Sequence, residues 1–197
     1  MLEFGLDENF KLEFIDSADS TQHKYFCPEC RSLLTVKNRD FEGRIKVKHF
    51  AHNYGRSCCM AGSDGESFLH VNTKLLLYKK LTENKKFPVY LKVRVGENIQ
   101  HVEIDLLDGV DKIELEKKVL EGGIIPDISL YKGGILAKVI EVVVTHEDSR
   151  TKTIFYAVNG IKVFRVQVND RVYKSLKRGS LPIFTIGKQS LSNMLKY

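Results

Sequence analysis

Beyond residue 88 the chain alternates apolar and polar residues in short blocks separated by turn formers. Residues 89–95, 99–107 and 112–120 carry the two-residue period of half-buried strands and are predicted as antiparallel strands. Gly122-Gly123 turns the chain into a further strand over 124–131, and Gly133-Gly134 turns it again into one over 136–145. Ser149 then caps a helix that reaches about Asn159 and is closed by Gly160, after which 161–168 is another strand. Strand, helix and strand over 136–168 imply parallel pairing through a right-handed crossover. Upstream, Ser63 and Glu66 fit a capping box that opens a helix over 67–82, and the stretch from Lys85 to Pro88 breaks it. Residues 55–66 (GRSCCMAGSDGE) are small and polar and read as a linker. The expected fold class is α+β, with a small β module over 1–62 and a larger domain over 63–197. There is no internal repeat and no low-complexity tract.

Composition narrows the class. With 197 residues, 43% hydrophobic and 28% charged, the chain has room for one domain plus a small appendage. No apolar run approaches the roughly 20 residues of a membrane span, and MLEFGLDENF is acidic and polar rather than signal-like. A cytoplasmic protein with no membrane partner is expected. The net charge of +6 is unevenly spread. From Thr151 to Tyr197 nine Lys/Arg face one Asp, a local +8, whereas the first 150 residues hold 22 basic and 24 acidic side chains, a net −2. A near-neutral body with a basic C-terminal quarter suggests an anionic partner, nucleic acid first. A soluble protein with surplus lysine fits the same arithmetic.

All four cysteines fall within 33 residues: Cys27 and Cys30 in a C-x-x-C knuckle, then Cys58 and Cys59, with His49 and His52 between the pairs. Two ligand pairs joined by a turn-rich segment are what a tetrahedral zinc site needs. A segment of about 60 residues buries too little apolar surface to hold itself, so a structural metal has an energetic purpose there. A disulfide, a redox C-x-x-C and unrelated thiols are the competing readings. Nothing suggests secretion, and no thioredoxin-like strand and helix surround Cys27. Cys27 and Cys30 form the firm pair. His52 and Cys58 are the choice for the second, with His49 and Cys59 as substitutes.

Two carboxylates stand in apolar surroundings. Glu141 lies inside Val139-Ile140-Glu141-Val142-Val143-Val144, a β-branched run typical of a central strand buried on both faces. An ionised carboxylate there is costly unless paired or bound to a cation. Asp127 lies early in the preceding apolar segment. Two such acids on adjacent strands can meet at Mg²⁺ or Mn²⁺, which hard oxygen donors favour. The bland alternatives are a buried Arg or Lys partner for Glu141 and a turn-capping role for Asp127. Glu66, His70 and Lys74 share one helix face at i, i+4 and i+8, a stripe that taken alone reads as solvated surface.

In their order along the chain, these motifs resemble the CoiA-like nucleases. They are Tyr25-Phe26-Cys27-Pro28-Glu29-Cys30, His49-Phe50-Ala51-His52 with a following cysteine, Glu66-Ser67-x-x-His70-x-x-x-Lys74, Pro126-Asp127 and Ile140-Glu141-Val142-Val143-Val144-Thr145-His146. The resemblance runs to about Val168. It implies a zinc knuckle fused to a PD-(D/E)xK restriction-endonuclease-like core that hydrolyses phosphodiester bonds in DNA. Asp127 and Glu141 would then hold catalytic Mg²⁺ or Mn²⁺, Glu66 would complete or support that site, and His70 would line it. Glu116 also looks like an acidic strand position of the relatives. The chain departs from the pattern at the motif lysine, where Val143 stands. Lys152 is the first candidate to replace it and Lys74 the second. Nucleases of this fold often pair to cut both strands, so a homodimer is compatible, although no segment reads as a dimer interface. The alternative implied by Val143 is a non-catalytic, zinc-stabilised module on the same fold that binds nucleic acid or protein.

Overall fold

The computed structural model describes residues 1–41, 44–53, 67–95, 97–119, 123–145, 150–180 and 182–186. The chain divides into two compact units, Met1–Leu75 and Leu76–Tyr197.

In the first unit, β1 (Phe4–Leu6), β2 (Leu12–Phe14), β3 (Tyr25–Phe26), β4 (Leu33–Phe41) and β5 (Arg44–His52) form an antiparallel sheet in the order β2-β1-β3-β4-β5. Its core is aromatic: Phe4, Tyr25 and Phe50 are buried, with the Tyr25 and Phe50 rings 5.0 Å apart. Gly5 is required here, because a Cβ on it would stand 3.1 Å from the Phe50 ring. The turn after β1 is built by Asp7, whose Oδ1 accepts from the Asn9 and Lys11 backbone N–H groups at 2.8 Å each.

The division between the units falls within α1 (Phe68–Glu83). In its first half, Val71 and Leu75 are buried. The Asn72 carboxamide accepts from Glu3 N–H at 3.0 Å and donates to the Met1 carbonyl at 2.8 Å. These bonds tie the helix to the N-terminal strand region of its own unit. Ser63 and Glu66, the expected capping box, lie outside the described residues.

The second unit contains β6 (Pro88–Val95), β7 (Asn98–Asp105), β8 (Lys112–Leu115), β9 (Ile128–Lys132), β10 (Ile135–Val143), α2 (Arg150–Val158), β11 (Lys162–Gln167), α3 (Asp170–Lys177) and β12 (Ile183–Ile186). They build a mixed seven-stranded sheet in the order β7-β6-β12-β11-β10-β9-β8. β10 and β11 run parallel, as the crossover through α2 requires. β9 and β11 flank β10, and Val139–Val143 are all buried, which suits the valines and isoleucines that surround Glu141 there. Ile124, Val139, Tyr156, Ile161 and Val163 form one cluster of this core.

Three expectations need correction. The strand expected over 112–120 ends at Leu115, and the one expected from 124 begins at Ile128, with Val119 and Ile124 forming only an isolated bridge. The basic C-terminal segment is not simply a tail. Asn169 caps α3 by accepting from Val172 N–H at 3.0 Å. The following β12 lies between β11 and β6, antiparallel to one and parallel to the other. Its four residues are too few to show a periodicity among surrounding polar ones.

Phe184 on β12 is fully buried, with its ring edge-on to Phe164 at 6.3 Å. Phe184→Ala is expected to cost about 3–5 kcal/mol, read as a shift of the urea midpoint. A cost below about 1 kcal/mol would contradict a core position for this strand.

Candidate functional site

The first unit presents a sulfur and nitrogen cluster. β3 ends directly before Cys27, and the knuckle turns back into β4 through Arg31 N–H donating to the Cys27 carbonyl at 3.0 Å and Cys27 N–H donating to the Ser32 carbonyl at 2.8 Å. β5 pairs with β4 at Leu34↔His52, which carries the last residue of β5 to the knuckle. One ligand atom from each of Cys27, Cys30 and His52 lies within 4.8 Å of the others, and Cys30 Sγ is 3.3 Å from His52 Nε2. His49 is three residues earlier on the same strand, an odd step that reverses the face, and its Nδ1 lies 3.0 Å from the Val47 carbonyl. Cys58 and Cys59 lie outside the described residues.

The two thiols are electrically unequal. Burial pushes the Cys27 thiol up, and the neighbouring Cys30 adds to this. For Cys30, burial acts upward too, but hydrogen bonds from the Ser32 side chain and backbone, then from His52 and Cys27, outweigh it and bring the thiol down to about 6. Cys30 is therefore a thiolate at neutral pH, the form that ligates metal. A Cys27, Cys30 and His52 set could bind a metal such as zinc, whose tetrahedral preference leaves one position for a further donor.

Glu29, inside the same knuckle, faces the Lys74 ammonium at 3.8 Å. Lys74 is fully buried, so the surface stripe expected of His70 and Lys74 does not describe this helix face. Helical spacing alone could not separate a solvated lysine from one buried beside a carboxylate. Glu66 lies outside the described residues.

The second unit places three acids at neighbouring backbone positions. Leu115 pairs with Ile128, and Ile128 pairs with Ile140. One step further along, Glu116, Asp127 and Glu141 take neighbouring register positions on or next to β8, β9 and β10. Glu116 N–H donates to the Asp127 carbonyl at 3.1 Å, and Val142 N–H donates to Asp127 Oδ2 at 2.7 Å. Both Asp127 and Glu141 are buried. Glu116 adopts φ 46°, a left-handed conformation that a non-glycine residue holds only where its surroundings impose it.

From α2, two side chains one turn apart reach the same carboxylate. Lys152 Nζ donates to Glu141 Oε2 at 3.0 Å, and Tyr156 Oη donates to Glu141 Oε1 at 2.5 Å. The Lys152 side chain is 24% exposed and that of Glu141 3%, so the cation stands at the solvent edge of a buried acid. A buried carboxylate stripped of such partners costs several kcal/mol, which explains why a charged residue is tolerated in a strand of valines and isoleucines. Val143, two residues on from Glu141, is buried and apolar. Tyr156 was not anticipated from the sequence, although its i+4 spacing from Lys152 was the available signal. Arg165, the β11 register partner of Glu141, was missed as well.

Residues 8–61, which include Cys27, Cys30 and His52, match the family model for the N-terminal domain of the competence protein CoiA. The match is a likeness of that segment, 54 of the 197 residues. No curated protein and no solved structure matches the chain.

Elemental analysis of the purified chain is expected to find about one zinc per molecule. Cys27→Ser and His52→Ala should each reduce that content severalfold. A zinc-free chain whose first unit remains folded would contradict the assignment.

Proposed function

We propose that the chain is a metal-dependent DNA nuclease with a competence-related function, built on a PD-(D/E)xK core and stabilised by zinc in its first unit. The observation that carries this reading is the placement of two buried acids, Asp127 directly before β9 and Glu141 on β10, one step beyond the Ile128–Ile140 pair of these antiparallel strands, with Lys152 of the following helix ion-paired to Glu141. The donor chemistry fits a hard divalent ion, since both acids offer carboxylate oxygen. Asp127 and Glu141 would hold Mg²⁺ or Mn²⁺, which when bound supplies a water of lowered pKa and polarises a phosphate oxygen.

The chain's own groups do the rest. Val142 N–H orients the Asp127 carboxylate, and Tyr156 orients that of Glu141. Lys152 brings a positive charge to the solvent-facing edge of the site, where it offsets negative charge developing on the phosphate. A lysine in this role need not sit at position 143. What it needs is to reach the same carboxylate, and the first turn of α2 provides that reach.

A second reading keeps the fold without the chemistry, as a zinc-stabilised nucleic-acid-binding or interaction module. Val143 favours it, since an apolar side chain there can neither orient water nor neutralise charge.

Supercoiled plasmid and single-stranded DNA incubated with the protein in Mg²⁺ or Mn²⁺ test the proposal. Cutting is expected to need the metal and to fall by about 100-fold or more in Asp127→Ala, Glu141→Gln and Lys152→Ala. Metal-independent cutting, or cutting that survives all three substitutions, would overturn the mechanism. Retained DNA binding with no cutting in either metal would establish the second reading.

A further inference from the structure

The charges on α3 are not accounted for by the fold. Tyr173 and Leu176 bury the inner face of the helix, and Asp170 in the first turn and Lys174 and Lys177 in the last turn suit its dipole. Arg171 does not. It places a cation in the first turn, at the positive end. Arg171, Lys174 and Arg178 are exposed, and among the described residues none of them forms an ion pair. At 100° per residue the three fall within an arc of about 60°, opposite in tendency to the buried face. Together with Asp170 and Ser175 they line a cavity of about 470 Å³. The hollow is open to solvent, and four of its five lining residues carry charge. Lys177 is set apart, with its ammonium 5.8 Å from the centre of the Tyr173 ring.

We propose that Arg171, Lys174 and Arg178 form a contact surface for the phosphodiester backbone of DNA. The reading rests on the nucleic-acid partner of the proposed function but not on catalysis. From Arg171 to the C-cap Arg178 the cations span about 10 Å along the helix axis, so their long side chains can reach more than one phosphate of a strand rather than a single isolated anion. Arg supplies a planar fork that engages a phosphate with two parallel hydrogen bonds, and Lys supplies a point charge. Such contacts position the backbone and carry no base preference. Asp170 at the near end of the cavity limits the surface on that side.

The test is a salt titration of binding by fluorescence anisotropy, without Mg²⁺ or Mn²⁺, using the zinc-loaded full chain and 25-nucleotide duplex and single-stranded DNA of two unrelated sequences. The triple variant R171Q/K174Q/R178Q is expected to bind at least about tenfold more weakly near 0.1 M salt. The slope of log K against log salt should become shallower by about 2–3 for duplex, in equal measure for both sequences. Lys177→Gln should leave the slope within about 0.5 of the parent. An unchanged slope in a triple variant with parental thermal melting would overturn the proposal. So would loss of polyglutamate binding with DNA binding intact, or competition by inorganic phosphate at concentrations too low to act by ionic strength. If the plasmid shows no cutting while the slope changes as described, the nuclease reading fails and this surface stands.

Discussion

The carboxylate of Glu141 lies toward the end of β10, in the part of that strand buried on both faces, and the second unit is arranged around what that group requires. A charge so placed must be met by donors. The side chains of the valines and isoleucines of β10 offer none, and the Val142 N–H beside Glu141 is taken by Asp127. The donors therefore come from α2, where Lys152 and Tyr156 stand one turn apart and each takes one oxygen. That double attachment fixes the start of α2 against β10 independently of apolar packing. It also leaves a positive charge at the solvent edge of an acidic strand position. Asp127 is held by different means, through the Val142 N–H, so the two carboxylates are positioned by separate parts of the fold.

The two units divide the metal chemistry suggested by the chain. Cys27, Cys30 and His52 offer soft sulfur and nitrogen, which suit zinc, and the lowered thiol of Cys30 supplies a thiolate without need of strong base. Asp127 and Glu141 offer only hard oxygen, which suits magnesium or manganese. The family match covers the segment with the sulfur cluster, and the case for the acidic cluster stands on strand register and hydrogen bonding.

The strands of the second unit other than β12 were legible because their signals are local, whereas those of the first unit were expected only as a small β module. The Gly133-Gly134 turn and the β-branched run of β10 need no tertiary context, and the crossover through α2 follows from element order. Glu141 was legible for the same reason, as a charge in a setting that resists one. Other features depend on the assembled structure. β12 is four residues long, and its place between β6 and β11 is settled by long-range pairing. Lys74 reads as surface from spacing alone and is buried because Glu29 approaches from a knuckle 45 positions earlier in the chain. Tyr156 resembles any core aromatic until β10 and α2 are brought together.

The central claim is that the acids of the second unit form a divalent cation site. A Mn²⁺ titration of the zinc-loaded chain, followed by electron paramagnetic resonance, tests it without reference to any DNA substrate. One saturable Mn²⁺ site is expected, abolished by Asp127→Asn and weakened at least about tenfold by Glu141→Gln. Saturable binding that is equal in all three proteins, or no saturable binding in the parent, would contradict the account.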